Sequence, residues 1–71
     1  MTENIIKNNI RELRFFADEM TQQELAELVG VTRQTIIAIE KSKYSPTLEV
    51  AFKISTIFGH SIEEVFEYQA G

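Results

Sequence analysis

Apolar residues recur at intervals of three and four positions along most of the chain, which is typical of helices that bury one face. The first such stretch predicts a helix from about Ile5 to Ala17. Its apolar face consists of Ile6, Ile10, Leu13 and Ala17. Phe15 and Phe16 are adjacent and cannot both share this face. We expect one to pack inward and the other to cover a fifth helix or contact another subunit, with the core favoured for each.

Residues 22–40 predict two short helices joined by a tight turn. Thr21 is followed three residues later by Glu24, a capping box that starts the first of these helices directly after Thr21. Gly30 ends this helix, because glycine readily adopts the positive φ with which a chain reverses direction. Thr32 then caps the next helix almost immediately.

The two helices must cross closely, because the turn between them is short. Ala26 stands at the predicted contact, where a side chain larger than a methyl group would push the helices apart. Ile36 and Ile39 share one face of the second helix and are expected in the core. The opposite face is left for a partner. It carries Arg33, Gln34, Thr35 and Ala38.

Turn and cap signals place a fourth helix after this motif. Pro46 disfavours helix in the residue before it, and Thr47 is a ready N-cap. The helix is predicted to run to about Phe58, and Gly59 closes it.

The C-terminal residues predict a fifth helix and a short extended tail. Ser61 and Glu64 form a second capping box, after a connection at His60. The apolar residues of this helix are Ile62, Val65 and Phe66. Residues 65–68 then alternate between apolar and polar, which suits an extended segment.

The motif in residues 22–40 resembles the helix-turn-helix of the Xre/Cro/cI-type transcriptional regulators. The residues that match this family's pattern are Gln22, Ala26, Gly30, Val31, Ile36, Ile39 and Glu40. The flanking stretches IRELR and YSPTLEVAFKI are also similar, so the resemblance covers about residues 8–68. It implies an all-α, five-helix lambda-repressor-like DNA-binding domain over residues 1–71, with a short C-terminal extended segment.

A chain with this resemblance is expected to bind double-stranded DNA. The start of the second motif helix, the recognition helix, enters the major groove in such domains, so its first side chains lie nearest the bases. The expected base contacts are Thr32, Arg33, Gln34 and Ala38. The expected phosphate contacts are Gln22, Thr35, Lys41, Lys43 and Tyr44. Ile37 either touches a thymine methyl group or packs on the fourth helix.

The resemblance also implies a structural ion pair between Arg14 and Glu40, which would lock the first helix to the recognition helix. The alternative role for Arg14 is a phosphate contact.

The sequence departs from the family's usual pattern in the turn after the recognition helix and in the link between the first two helices. Lys41 and Ser42 stand where asparagine-glycine is common, and serine adopts that turn only with some strain. The link FFADEM is one residue longer than the commonest version.

The net charge argues against DNA binding. Eleven acidic and seven basic residues give a charge of −4, and the phosphate backbone repels an acidic protein. The distribution softens this objection, because basic residues outnumber acidic ones between positions 33 and 53. They are Arg33, Lys41, Lys43 and Lys53, against Glu40 and Glu49. We therefore expect a basic stripe at the motif and binding that weakens steeply with added salt.

The composition excludes several other classes of function. The chain has no cysteine and one histidine, so neither a disulfide framework nor a metal site is expected. No nucleophile, base and acid are spaced for catalysis, and we expect no enzymatic activity, no cofactor and no small-molecule ligand. No apolar stretch is long enough to span a bilayer and no signal peptide is found, so the cytoplasm is the expected location.

A homodimer is expected, because one small domain reads only a few base pairs and a symmetric pair doubles the site. Phe66 and Tyr68 are the expected interface; they either pair with their symmetry mates as a two-stranded ribbon or pack back onto the first helix. The expected function is that of a repressor on a palindromic operator. The alternative is a protein-interaction or antitoxin-like module on the same scaffold. Its candidate contacts are Phe16, Phe52, Phe66 and Tyr68.

Overall fold

Five helices and two short strands form residues 5–69, the part of the chain that this computed structural model describes. In chain order they are β1 (Ile5–Asn8), α1 (Ile10–Phe16), α2 (Gln22–Val29), α3 (Arg33–Glu40), α4 (Leu48–Phe58), α5 (Ile62–Val65) and β2 (Phe66–Gln69). The predicted five-helix domain is therefore confirmed, and the predicted extended tail is β2. None of the helices within these residues is both long and apolar enough to cross a membrane.

Hydrogen bonds at the caps confirm the predicted starts of α2, α4 and α5. At α2, Thr21 Oγ1 accepts from the backbone N–H of Glu24 at 3.0 Å, and the Glu24 carboxylate accepts from the N–H of Thr21 at 2.8 Å. Ser61 and Glu64 make the same reciprocal pair at α5. Thr47 caps α4 with its hydroxyl alone. These side chains satisfy donors that the first turn of a helix leaves unpaired.

The prediction of a first helix from Ile5 to Ala17 is wrong at its start. Residues Ile5–Asn8 form β1, and α1 covers only Ile10–Phe16. β1 pairs with β2 in an antiparallel sheet, in which Ile6 lies opposite Tyr68. The apolar spacing within the segment does not reveal this pairing, because the partner strand lies at the other end of the described chain.

The core lies between the helices; of the face predicted for the first helix it includes Ile10 and, at its edge, Leu13, but not Ile6 or Ala17. Its buried apolar residues are Ile10, Leu25, Ala26, Val29, Ile36, Ile39, Ala51, Ile54 and Val65. Ala26 has no exposed surface, as a residue at a close contact between α2 and α3 requires. Leu13 and Phe66 pack against this cluster from its edge.

Phe15 and Phe16 are both exposed, so the expectation that one packs inward, with the core favoured for each, is wrong. Phe15 is 63% and Phe16 79% exposed, and their rings contact each other edge to face. α1 has only about two turns, and Ile10 and Leu13 occupy its inward face. The two rings therefore form a solvent-facing pair at the end of α1.

Candidate nucleic-acid interface

The turn between α2 and α3 has the geometry that the sequence predicts. Gly30 has a φ of +86°, and its N–H donates to the carbonyl of Ala26 at 2.8 Å. The N–H of Val31 donates to the same carbonyl at 3.0 Å. Thr32 Oγ1 then accepts from the N–H of Thr35 at 3.2 Å and starts α3. A chain reversal of three residues thus sets the angle between the two helices.

The recognition helix, α3, has one buried and one open face. Ile36 and Ile39 have almost no exposed surface and hold the helix against the core. Arg33 and Gln34 are exposed at its N-terminal end, whereas Ala38 is half-buried. The open face therefore begins with two long polar side chains, on a helix that is anchored by its opposite side.

Glu40, at the end of α3, accepts the hydrogen bonds of a partly buried network. Arg14 Nε donates to Glu40 Oε2 at 2.7 Å, and Arg14 Nη2 donates to Oε1 at 3.1 Å. The two side chains are only 14% and 9% exposed. Arg14 Nη1 also donates to the carbonyl of Met20, and Gln22 Nε2 donates to Glu40 Oε1 at 3.1 Å. The ion pair implied by the family resemblance is present, and it links α1, the start of α2 and α3.

Three of the expected DNA contacts have partners within the protein. The Gln22 amide donates one of its two N–H hydrogens to Glu40, so the other can still donate to a phosphate. The backbone N–H of Gln22 lies in the first turn of α2, where donors are free of intrahelical acceptors and anions are favoured. The Thr32 hydroxyl caps α3 and lies 3.0 Å from that of Thr35. These internal hydrogen bonds fix the orientation of the Gln22, Thr32 and Thr35 side chains.

A cleft of about 710 Å³ lies where α1, the start of α2 and α3 meet. Three exposed cationic side chains, Arg11, Arg33 and Lys41, line it, and Ile37 contributes apolar surface. Arg11 is absent from the contacts expected from the sequence. Its signal was the spacing of three residues to Arg14, which places both side chains on one face of α1. The structure thus adds Arg11 of α1 to the cations at the two ends of α3.

The turn after α3 places Ser42 in the left-handed region. Ser42 has a positive φ of +59°, and its N–H donates to the carbonyl of Ile39 at 3.0 Å. The N–H of Lys43 donates to the carbonyl of Ala38 at 2.9 Å, which closes the end of the helix. Serine therefore occupies a backbone conformation that glycine adopts at lower energy. Two further expected phosphate contacts, Lys43 and Tyr44, follow this turn and are exposed.

The link between α1 and α2 also contains left-handed residues. Asp18 and Glu19 have φ values of +60° and +55°. Two consecutive non-glycine residues with positive φ are uncommon, because the side chain crowds the backbone there. The link brings Met20 back to Arg14, where the Met20 carbonyl accepts a hydrogen bond.

The predicted basic stripe is split between two surfaces. Arg33 and Lys41 line the cleft beside α3. Lys53 instead lies in a groove with Leu28 and Phe52, and pairs with Glu49 at 3.2 Å. Lys53 is therefore not part of the cationic surface at the motif. The reason is helical geometry, since α4 turns this residue away from α3.

The expected dimer residues lie on β2. Phe66 is half-buried against the core, whereas Tyr68 is 62% exposed. Both stand opposite β1 of the same chain, Phe66 across from Asn8 and Tyr68 across from Ile6. The tail thus packs back onto the N-terminal residues, which form a strand rather than part of the first helix.

The comparison with known protein families agrees with this geometry. A family model described as helix-turn-helix matches residues 10–65, well over half of the chain. The chain belongs to the Xre/Cro/cI-type helix-turn-helix family. Members of this family are DNA-binding transcriptional regulators and not enzymes, so DNA is the partner that the family assigns to this chain.

Individual relatives of this helix-turn-helix chain support the same assignment. It is 50% identical over 64 residues to an HTH-type transcriptional regulator of Methanocaldococcus jannaschii, covering 90% of this chain and 96% of that one. It is 36% identical over 61 residues to the cryptic phage CTXphi transcriptional repressor RstR from Vibrio cholerae, covering 86% and 54%. The restriction-modification controller protein C.AhdI from Aeromonas hydrophila has a similar solved structure. Its TM-score is 0.67, with 29% identity and coverage of 78% and 82%.

Proposed function

We propose that this protein represses transcription by binding a palindromic operator as a homodimer, with α3 of each copy in the major groove. The observation that carries the proposal is the open face of α3. It presents Arg33 and Gln34 from a helix anchored through Ile36, Ile39 and Glu40. A rigid helix with polar side chains at its start is what direct reading of base edges requires.

The base contacts follow from the reach of side chains at the start of α3. The forked guanidinium of Arg33 matches the two acceptors of guanine, and the amide of Gln34 matches adenine. The Thr32 hydroxyl caps the helix, so this residue offers its methyl group to a thymine methyl. Ala38, half-buried further along α3, is a close apolar contact in the same groove.

The proposed phosphate contacts include residues that line the cleft and others that lie outside it. The proposed residues are Gln22 through its backbone N–H, Thr35, Lys41, Lys43, Tyr44 and, in addition, Arg11. Two carboxylates, Glu19 and Glu40, line the cleft beside these cations, and that of Glu40 is already compensated by Arg14 inside the protein. The local surface is thus less acidic than the net charge of −4 suggests.

The proposed dimer forms at the tail. One edge of β2 pairs with β1, so a second copy would pair with the other edge and extend the sheet across a two-fold axis. Two recognition helices related in this way would read half-sites ~34 Å apart. Sedimentation of Tyr68→Glu should show a monomer, because charge repulsion and the missing aromatic ring would act twice at the axis. Tyr44→Glu, a similar change outside β2, should keep the dimer mass; equal behaviour of the two variants rules out this interface.

Selection of bound duplexes from a random pool, followed by mobility shift, tests the DNA-binding proposal. We expect one sequence to be enriched, and Arg33→Ala or Gln34→Ala to lose ~1–3 kcal/mol of binding free energy at one base pair. Lys53→Ala, which removes a cation from the groove that Leu28 and Phe52 line (the α4 groove), should bind like the natural chain. No enrichment, together with no effect of Arg33→Ala, would refute DNA reading.

The second candidate is a protein-interaction or antitoxin-like module, and one surface favours it. Leu28 and Phe52 are 59% and 55% exposed and line a groove between α2 and α4. Phe16 and Tyr68 are exposed elsewhere, whereas Phe66 is half-buried. Apolar surface of this kind is common at protein interfaces. The absence of an enriched duplex in the selection would favour this candidate.

A further inference from the structure

The Asn8 side chain joins three elements at one point. Its Nδ2 donates to the carbonyl of Ile39 at 2.8 Å, and lies 3.5 Å from the carbonyl of Glu40. Its Oδ1 accepts from the N–H of Ile10 at 3.1 Å. Asn8 is itself the last residue of β1. One amide group therefore contacts the end of α3 and the start of α1 from the end of a strand.

The contact with α3 caps that helix from a distant part of the chain. The last four carbonyls of a helix have no intrahelical donor. The carbonyls of Ile37 and Ala38 receive the N–H groups of Lys41 and Lys43, which follow α3 directly. The next carbonyl, that of Ile39, receives the Asn8 amide in addition to the N–H of Ser42 at 3.0 Å. The end of the recognition helix is thus held by β1 as well as by its own turn.

The strand that carries Asn8 is in turn held by the C-terminal residues. Asn8 stands opposite Phe66 in the sheet. The N–H of Asn9 donates to the carbonyl of Val65 at 2.9 Å, and Asn9 Nδ2 donates to the carbonyl of Glu64 at 3.0 Å. A continuous set of hydrogen bonds therefore leads from α5 and β2, through Asn9 and Asn8, to the last turn of α3.

We propose that Asn8 is a positioning residue for DNA recognition, which rests on the function proposed above. Arg14 anchors the last turn of α3 through the Glu40 carboxylate, and Asn8 anchors the same turn through the backbone. Ile36 and Ile39 still hold α3 against the core without the Asn8 contact, but its last turn is then less constrained and samples a wider range of orientations. Apparent affinity falls in proportion to the fraction of molecules whose helix has the binding orientation. Asn8 thus raises DNA affinity without touching DNA.

Asn8→Asp isolates the contact with α3. Aspartate keeps an oxygen that accepts from the N–H of Ile10, but it has no donor for the Ile39 carbonyl. Asn9→Asp is the matched control, since it adds the same charge at the next residue and removes a donor to the carbonyl of Glu64 instead. Asn8→Ser is a second, uncharged variant that is too short to reach α3. Each full-length variant is used at a temperature where circular dichroism shows it folded.

The duplex enriched from the random pool serves as the probe in fluorescence anisotropy. We expect Asn8→Asp to bind about fivefold more weakly than Asn9→Asp, and Asn8→Ser to be weakened about as much relative to the natural chain. Discrimination against a duplex with one changed base pair should fall as well. Hydrogen exchange should accelerate at the amides of Ser42 and Lys43 while those of α2 stay protected, which a general loss of stability would not produce.

The outcomes separate this inference from the function on which it rests. If Asn8→Asp and Asn8→Ser stay within about twofold of their references while Arg33→Ala loses affinity, Asn8 is only structural and the inference is overturned. If Arg33→Ala changes nothing, the proposed DNA reading itself fails, and the inference with it. Exchange that accelerates equally in α2 and α3 would also overturn it.

Discussion

Arg14 and Glu40 meet through two hydrogen bonds, from Nε to Oε2 at 2.7 Å and from Nη2 to Oε1 at 3.1 Å. The pair fastens α1 to the last turn of the recognition helix. With 14% and 9% of their side chains exposed, neither charge has more than a little contact with water. Each therefore depends on the other for its solvation.

Removing one member of this pair should destabilise the fold strongly. Arg14→Ala or Glu40→Ala leaves the other charge desolvated and unpaired, at an expected cost of ~3–5 kcal/mol in the free energy of unfolding. Arg14→Lys should not restore the loss, because an ammonium cannot reproduce the two-pronged contact. Urea denaturation measures these values. Glu49→Ala, which removes the exposed pair with Lys53, should cost less than ~1 kcal/mol; similar losses at both sites would contradict the burial argument.

Ala26 should tolerate no larger side chain. It has no exposed surface and lies where α2 meets α3, so Ala26→Leu forces the two helices apart. We expect a loss of ~1–3 kcal/mol in unfolding free energy, measured by thermal denaturation. Ala38→Leu adds the same atoms to a half-buried position on α3 and should cost less. Equal losses would show that the α2–α3 contact is not tight.

Ser42→Gly should stabilise the protein. Ser42 has a φ of +59°, which costs a side-chain-bearing residue roughly 1–2 kcal/mol and glycine almost nothing. Part of this gain is offset by the greater flexibility of glycine in the unfolded chain, so we expect a net increase of about 0.5–1 kcal/mol. Thermal denaturation measures it. Ser45→Gly, in the same loop but without a positive φ, should be neutral or destabilising.

Two capping boxes should make stability depend on acid pH. The backbone N–H of Thr21 lowers the pKa of Glu24 below its ordinary value of 4.5, and the N–H of Ser61 does the same for the pKa of Glu64. Because both pKa values are lower in the folded state, the stabilisation is complete above pH 4.5 and is lost as the pH falls through the folded values.

Glu24→Gln combined with Glu64→Gln should therefore flatten the decline of stability in acid. Chemical denaturation over a series of pH values, with the natural chain alongside, measures the slope below pH 4.5. Glu63→Gln is the control, since Glu63 lies in the same turn of α5 and takes no part in either capping box. A slope that is unchanged in the double variant would rule out the caps as its source.

The salt dependence of DNA binding should depend on the cationic side chains that line the cleft. If Arg11 binds a phosphate, Arg11→Ala lowers the slope of log affinity against log salt concentration by about 0.9 for each phosphate that is no longer neutralised. Lys53→Ala should leave the slope unchanged, because Lys53 lies in the α4 groove. Anisotropy titrations at several salt concentrations measure both. Equal slopes for Arg11→Ala and the natural chain would remove Arg11 from the interface.

Most of the helical framework is readable from the sequence, because local chemistry specifies it. The caps at Thr21, Thr47 and Ser61 bond to residues three positions away, and Gly30 and Gly59 end helices through their own φ. Such features need no knowledge of distant residues. The candidate contacts on α3 are readable for the same reason, since helical spacing alone separates its buried face from its open one.

The tertiary structure decided what depends on partners far apart in the chain. Ile5–Asn8 form a strand because they pair with β2. The local sequence pattern does not predict this pairing, since β2 is distant in the chain. The tertiary structure left Phe15 and Phe16 in solvent, because Ile10 and Leu13 fill the inward face of a short α1. It also brought Arg11 to the cleft and Asn8 to the end of α3. The sequence by itself determined where most helices begin and end and which face each one buries, since those are local properties. Only packing determined which distant elements contact one another.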